Sequence, residues 1–135
     1  MALLQWSPVM SVGVKLIDEQ HQHLVALINE LDDAMARGRA RDVMGKILAE
    51  LWEYAETHFA TEEMYFAKFG YAGAAEHQQE HAQFLADVGR FKADFDANRL
   101  GLSAEVMSFL SEWLKKHTTG SDKKYSGCFN ANGLK

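Results

Sequence analysis

Five of the six histidines in this sequence, with one glutamate, occupy positions from which they can be aimed at a common point. His58 and Glu62 are four residues apart, and so are His77 and His81; on a helix that spacing puts both members of a pair on one face. His21 and His117 each stand within a run of apolar residues spaced by three and four. Neutral imidazole and carboxylate are donor types that suit iron, so the chemistry open to these residues is metal ligation.

Such a set works only if separate segments bring it together. Pro8 is the only proline, and the glycines punctuate the remainder into four long stretches, expected as helices at about 16–37, 41–69, 74–97 and 103–119. Gly38 and Gly70 stop the first two, Gly73 precedes the third, and Ser103 is the expected N-cap of the fourth. Each carries an apolar seam of the bundle type. The first seam runs Ile17, His21, Leu24, Ile28, Leu31, Met35. The second runs Met44, Leu48, Leu51, Ala55, His58, Glu62, Tyr65, Phe69; the third His77, His81, Phe84, Val88, Phe91, Phe95; the fourth Val106, Leu110, Trp113, His117. The expected fold is therefore all-α, an antiparallel up-down-up-down four-helix bundle of one domain over 1–135, with an N-terminal arm and a short C-terminal tail. His21 opens the first helix, His58 and Glu62 lie late in the second, His77 and His81 open the third, and His117 closes the fourth. With short loops all of them meet in one layer at one end.

A lone inward histidine is usually a satisfied core residue. Five imidazoles and a carboxylate buried without partners would cost roughly 1–3 kcal/mol for each unsatisfied group, against a total stability of about 5–15 kcal/mol. A cation removes the difficulty. Asp122 joins the candidates although its spacing from His117 is not helical, because Gly120 lets the chain leave helix geometry between them. His23, two residues from His21, points the other way and is expected in solvent.

These residues resemble the hemerythrin family in its bacterial single-domain form. The matching elements are Asp18-Glu19-Gln20-His21, His58-x3-Glu62, His77-x3-His81 and Trp113-Leu114-x2-His117-x4-Asp122-x2-Tyr125, with Trp6 and Ser11-Val12-Gly13-Val14 similar to the family's N-terminal arm. The resemblance implies two non-haem iron ions joined by an oxo or hydroxo bridge. His77, His81 and His117 would hold one, His21 and His58 the other, and Glu62 and Asp122 would bridge. Two octahedral ions offer about twelve positions, and this set leaves about one open, on the two-histidine ion. The implied function is reversible O2 binding for storage or delivery, with an oxygen-consuming enzyme as a possible recipient. Trp113 and Leu114 match positions that wall the oxygen pocket. Thr118 is counted with them in the oxygen pocket; it stands where the family more often has an apolar residue, and of two readings, a hydroxyl that reaches the bound oxygen species or one that bonds the preceding helical turn, the second is preferred. Tyr125 is a neighbour of the site in either a structural or a supporting role.

Other classes fit less well. A ferritin-like di-iron oxidase uses Glu-x-x-His pairs, and none occurs here; five histidines against two carboxylates favour binding over oxygen activation. A sensing or iron-handling module would share the same ligands, a zinc bundle would close with four ligands per ion, and manganese would accept a similar shell. The net charge of −5 argues against a nucleic-acid surface, and Lys115, Lys116, Lys123 and Lys124 are read as a solvated face and tail. The single cysteine, Cys128, excludes an internal disulfide and is expected to lie unreactive in the tail. With no apolar run long enough for a span and no secretory signal in 1–8, the expectation is a soluble cytoplasmic protein without membrane insertion.

Overall fold

The four seams become four long helices: α1 (Lys15–Ala36), α2 (Ala40–Phe69), α3 (Ala74–Asp96) and α4 (Leu102–Trp113), followed by a short α5 (Ser126–Ala131). This computed structural model describes residues 5–118 and 120–135, without the side chains of Val9 and Thr118. α1 packs against α2 and α4, and α3 against the same two, so the chain goes up, down, up and down around one core. That core runs through the middle of the bundle, with Leu24, Ile28 and Leu31 of α1 facing Leu48 and Leu51 of α2, Phe84 and Val88 of α3, and Val106 and Leu110 of α4.

The start of α4 differs from expectation. Ser103 lies inside the helix, and the N-cap is Gly101 at φ +75°. The turn from α3 needs a left-handed residue there, which glycine adopts without strain. The end of α4 differs too, because after Trp113 the helix widens into one π-helical turn, Leu114–Thr118. Gly120 then reverses the chain so tightly that a Cβ on it would be driven into the Lys116 carbonyl.

What was expected as a tail is folded structure. Ser121–Tyr125 forms a 3-10 turn, and α5 lays Phe129 into a second apolar core with Val12, Val14, Ile17, Phe66 and Tyr125. This core explains a shift in the α2 seam: Phe66 is fully buried, while Tyr65 and Phe69 are only half-buried. A straight helix drifts about 20° per heptad from a strict seam, and Tyr125 and Phe129 reward the drift by packing on Phe66. Met35, Phe95 and Trp113 are likewise half-buried. The N-terminal arm is tied down at this end. Asp18 accepts hydrogen bonds from the Val12 N–H at 2.9 Å and from the Ser11 hydroxyl. Ser126 donates to the Val12 carbonyl, and the Asn130 amide to that of Gly13 at 3.0 Å. No helix among the described residues is long and apolar enough to cross a membrane.

Candidate metal centre

Between the two cores lies a layer of buried polar side chains. His21, His58, Glu62, His77, His81, His117 and Asp122 are each no more than 3% exposed. α1 contributes the first, α2 the next two, and α3 the pair His77 and His81. The π turn delivers His117 and the 3-10 turn Asp122. The extra residue of the π turn and the reversal at Gly120 are what let two side chains at non-helical spacing reach the same layer.

The donor atoms fall into two groups, each within 4.8 Å internally: Glu62, His77, His81, His117 and Asp122 in one, His21, His58, Glu62 and Asp122 in the other. Glu62 and Asp122 belong to both. His77 Nε2 is 2.7 Å and His117 Nε2 3.0 Å from Asp122 Oδ1, while His21 Nε2 is 2.8 Å from Oδ2. His81 Nε2 approaches Glu62 Oε1 at 2.9 Å and His58 Nε2 approaches it at 3.3 Å.

The outer nitrogens of three imidazoles are held by acceptors. His81 Nδ1 lies 2.9 Å from Glu63 Oε2, His117 Nδ1 3.0 Å from Glu80 Oε1, and His58 Nδ1 2.6 Å from Gln20 Oε1. A carboxylate can only accept, so His81 and His117 carry a proton on Nδ1 and, when neutral, present a bare Nε2 to the layer. Gln20 is oriented by its own amide donating to Thr61 Oγ1 at 3.3 Å, and the Thr61 hydroxyl donates to the Thr57 carbonyl at 2.9 Å. Glu63, Glu80 and Ser121, whose hydroxyl donates to Glu80 at 2.8 Å, are not among the residues the sequence pointed to, and Gln20 stood in a matching motif without an assigned role. The available signal was an acceptor next in sequence to a ligand-type residue, as Gln20 is to His21, Glu63 to Glu62 and Glu80 to His81.

The electrostatics show how unsettled the layer is without a cation. Burial disfavours the charged form of His77, but the close approach of the Asp122 and Glu62 carboxylates and their charges raise its pKa to about 9. For His58 burial prevails and the pKa falls, with the nearby His21 working in the same direction. Burial and the Asp122 charge push Glu62 upward, yet His58, His77 and His81 bring it to about 2. Asp122 is also held well below the usual range, against its own burial and chiefly by His117. Although these atoms are close, both oxygens of Glu62 and Asp122 and the Nε2 atoms of His77, His81 and His117 have no partner in hydrogen-bonding geometry. Inward lone pairs facing buried carboxylates are the donor set that cations satisfy, and the cluster fits a non-haem di-iron site.

Aromatic rings wall the layer. Phe59 stacks on His81 with centroids 3.8 Å apart and Trp113 on His117 at 3.9 Å. Tyr54 lies parallel to His58 at 5.2 Å, and Tyr125 is tilted against His77 at 5.6 Å. Leu114 is 5% exposed in the main core. The expectation for the Thr118 hydroxyl falls outside the described side chains. His23 is exposed, as are Lys115, Lys116, Lys123 and Lys124, whereas Cys128 is half-buried on α5.

A four-helix bundle carrying five histidines and two shared carboxylates across its interior defines a class of metal-binding bundle. The chain belongs to the hemerythrin family: the profile of the Hemerythrin HHE cation binding domain matches residues 12–128. It is 32% identical over 126 residues to bacteriohemerythrin of Stenotrophomonas maltophilia (strain R551-3), covering 93% of this chain and 81% of the relative. It is 32% identical over 132 residues to bacteriohemerythrin of Methylococcus capsulatus (strain Bath), covering 97% of this chain and all of the relative, at 100%. A crystal structure of wild-type hemerythrin superposes with a TM-score of 0.84 at 31% identity, covering 94% of this chain and 98% of that one.

Proposed function

We propose that this protein binds O2 reversibly at a non-haem di-iron centre, for oxygen storage or delivery, and acts as a binding protein rather than an enzyme. The observation that carries this reading is the sharing of Glu62 and Asp122 between two groups of buried donors. In it His77, His81 and His117 would hold one ion and His21 and His58 the other, with Glu62 and Asp122 shared between them. When bound, the oxo- or hydroxo-bridged iron pair supplies the electrons that O2 takes up and gives back, and the open position at which it docks.

The chain's own residues would do the rest. Glu63, Glu80 and Gln20 keep the imidazoles turned so that Nε2 stays inward, and the two acids make their histidines stronger donors. Unequal numbers of histidines leave the His21–His58 side the less crowded. Leu114 and Trp113 exclude water on the bundle side, while Tyr125, Phe66 and Phe129 do so on the other. An oxygen-consuming enzyme is the class of recipient that delivery implies.

The test is the visible spectrum of the reduced, iron-loaded protein through cycles of air and argon. A charge-transfer band that appears with oxygen and vanishes on purging, cycle after cycle, supports the reading. Immediate irreversible oxidation without such a band would replace it with an oxidase or redox sensor.

A further inference from the structure

Three buried polar atoms of the aromatic walls have no partner, the Tyr54 and Tyr125 hydroxyls and the Trp113 indole nitrogen, and of these Tyr54 lies against the two-histidine side. The Tyr54 hydroxyl has no partner and no accessible surface, and the residue is only 4% exposed. An unpaired phenol oxygen in an apolar core is destabilising, and phenylalanine would avoid it.

The position of Tyr54 suggests what the hydroxyl serves. It lies one helical turn before His58 on α2, with its ring parallel to that imidazole. Leu24 lies one turn after His21 on α1, and Leu114 one turn before His117. Given the alternating helix directions, these three occupy the tier directly beneath the ligand layer, on the bundle side, and all belong to the main core. α1 contacts both α2 and α4, and two of the three tier residues stand one turn from His21 and His58. Leucines supply two of its walls, and Tyr54 supplies the one hydrogen-bond donor among the three. On the outer side the same ring meets exposed His23 edge-on at 6.1 Å.

The geometry points to the Tyr54 hydroxyl as the hydrogen-bond donor to a small exogenous ligand, O2 or an anion of its size, held on the His21–His58 side of the centre. This rests on the di-iron reading above. A phenol is protonated at neutral pH, so it meets such a ligand as a donor. Tyr54 thereby sets how strongly, and for how long, a ligand that gains negative charge on binding is retained.

The test uses the full-length, iron-loaded, oxidised protein and azide as probe. Tyr54→Phe keeps the ring and its stack on His58 and removes only the oxygen. The expected result is unchanged iron content, an azide Kd raised about tenfold or more, as for losing a hydrogen bond to a charged acceptor, and faster azide release. The infrared stretch of bound azide should shift between H2O and D2O in the parent and not in the variant. Equal Kd values with the same isotope response in both proteins would overturn the inference. So would loss of iron from Tyr54→Phe alone, because the hydroxyl would then serve the ions and not the ligand. If the parent itself fails to take up two irons or to give an azide band, the di-iron reading fails and this inference falls with it.

Discussion

Glu80 and His117 face each other across the gap between α3 and the π turn, with Oε1 3.0 Å from Nδ1, and the same oxygen takes the Ser121 hydroxyl at 2.8 Å. One carboxylate thus orients an imidazole and anchors the turn that carries Asp122. Burial pushes its pKa up, but the hydrogen bonds from His117 and Ser121 and the charges of His117 and His77 together outweigh it and lower the pKa, so it is charged at neutral pH. Glu80→Ala should weaken metal retention about 10–100-fold, the range for losing such a support, with Glu80→Gln intermediate. Competition against a graded series of chelators measures this. Equal retention in all three proteins would mean that Glu80 supports only the turn.

Gly120 has the narrowest tolerance on the chain, because a Cβ there collides with the backbone carbonyl of Lys116 and no flexible side chain can yield. Gly120→Ala should destabilise the metal-free protein by about 1–3 kcal/mol, as overpacking does, and should lower iron content by displacing Asp122. Urea unfolding and iron analysis of the same samples check both. Gly127, whose added Cβ meets nothing, is the control: Gly127→Ala should leave iron content unchanged.

In the metal-free protein, where His117 is also raised and acts in the same direction, stability should depend on pH chiefly through His77. Its folded pKa of about 9 exceeds the ordinary 6.5, so its contribution is complete below pH 6.5 and is lost as pH rises through 9. The lowered pKa of His58 acts only below pH 6.5, and that of Glu62 only below 4.5, so neither affects that window. The urea midpoint of the chelator-treated protein should therefore fall between pH 6.5 and 9, and His77→Gln should flatten the decline. A midpoint that rises over this range would contradict the sign.

Removing the ions should loosen one part of the molecule first. Asp122 hangs from a short 3-10 turn held by Glu80 and the second core, whereas the α2 and α3 ligands sit within long helices. Hydrogen exchange compared with and without metal should accelerate most in 114–131, and least around Leu51 and Val88 in the main core. Uniform acceleration would show that the metal stabilises the bundle only as a whole.

The ligand-type residues were legible because metal chemistry leaves an unusual signature: polar donors at seam positions where only apolar residues pay their way. The seams themselves were legible while each helix packed against two neighbours, as at Leu24, Leu51 and Phe84. They misled where other partners intervened. Phe66 is buried because α5 covers it, and α5 itself was invisible, since Ser126–Ala131 is too short and too mixed for a periodic signal. Ser103 looked like a cap because its residue type suits one, but the backbone at Gly101 decided the boundary. Gln20, Glu63 and Glu80 lie at half-exposed positions, where polar residues are common, so their composition gave no warning.

The layer also joins distant parts of the chain. His21 and Asp122 stand 2.8 Å apart across about a hundred residues of sequence, and Glu62, His77, His81 and His117 fill the interval. Ions held there would act as a removable cross-link between α1, α2, α3 and the turns that follow α4, closing nested loops as a set of disulfides would in a protein with only one cysteine. A comparable covalent link over such a loop removes on the order of 4 kcal/mol of chain entropy from the unfolded state. On that reading the protein's endurance is coupled to its metal supply. Emptied of iron, it should become a short-lived protease substrate, so iron scarcity would thin its population without any change in its synthesis.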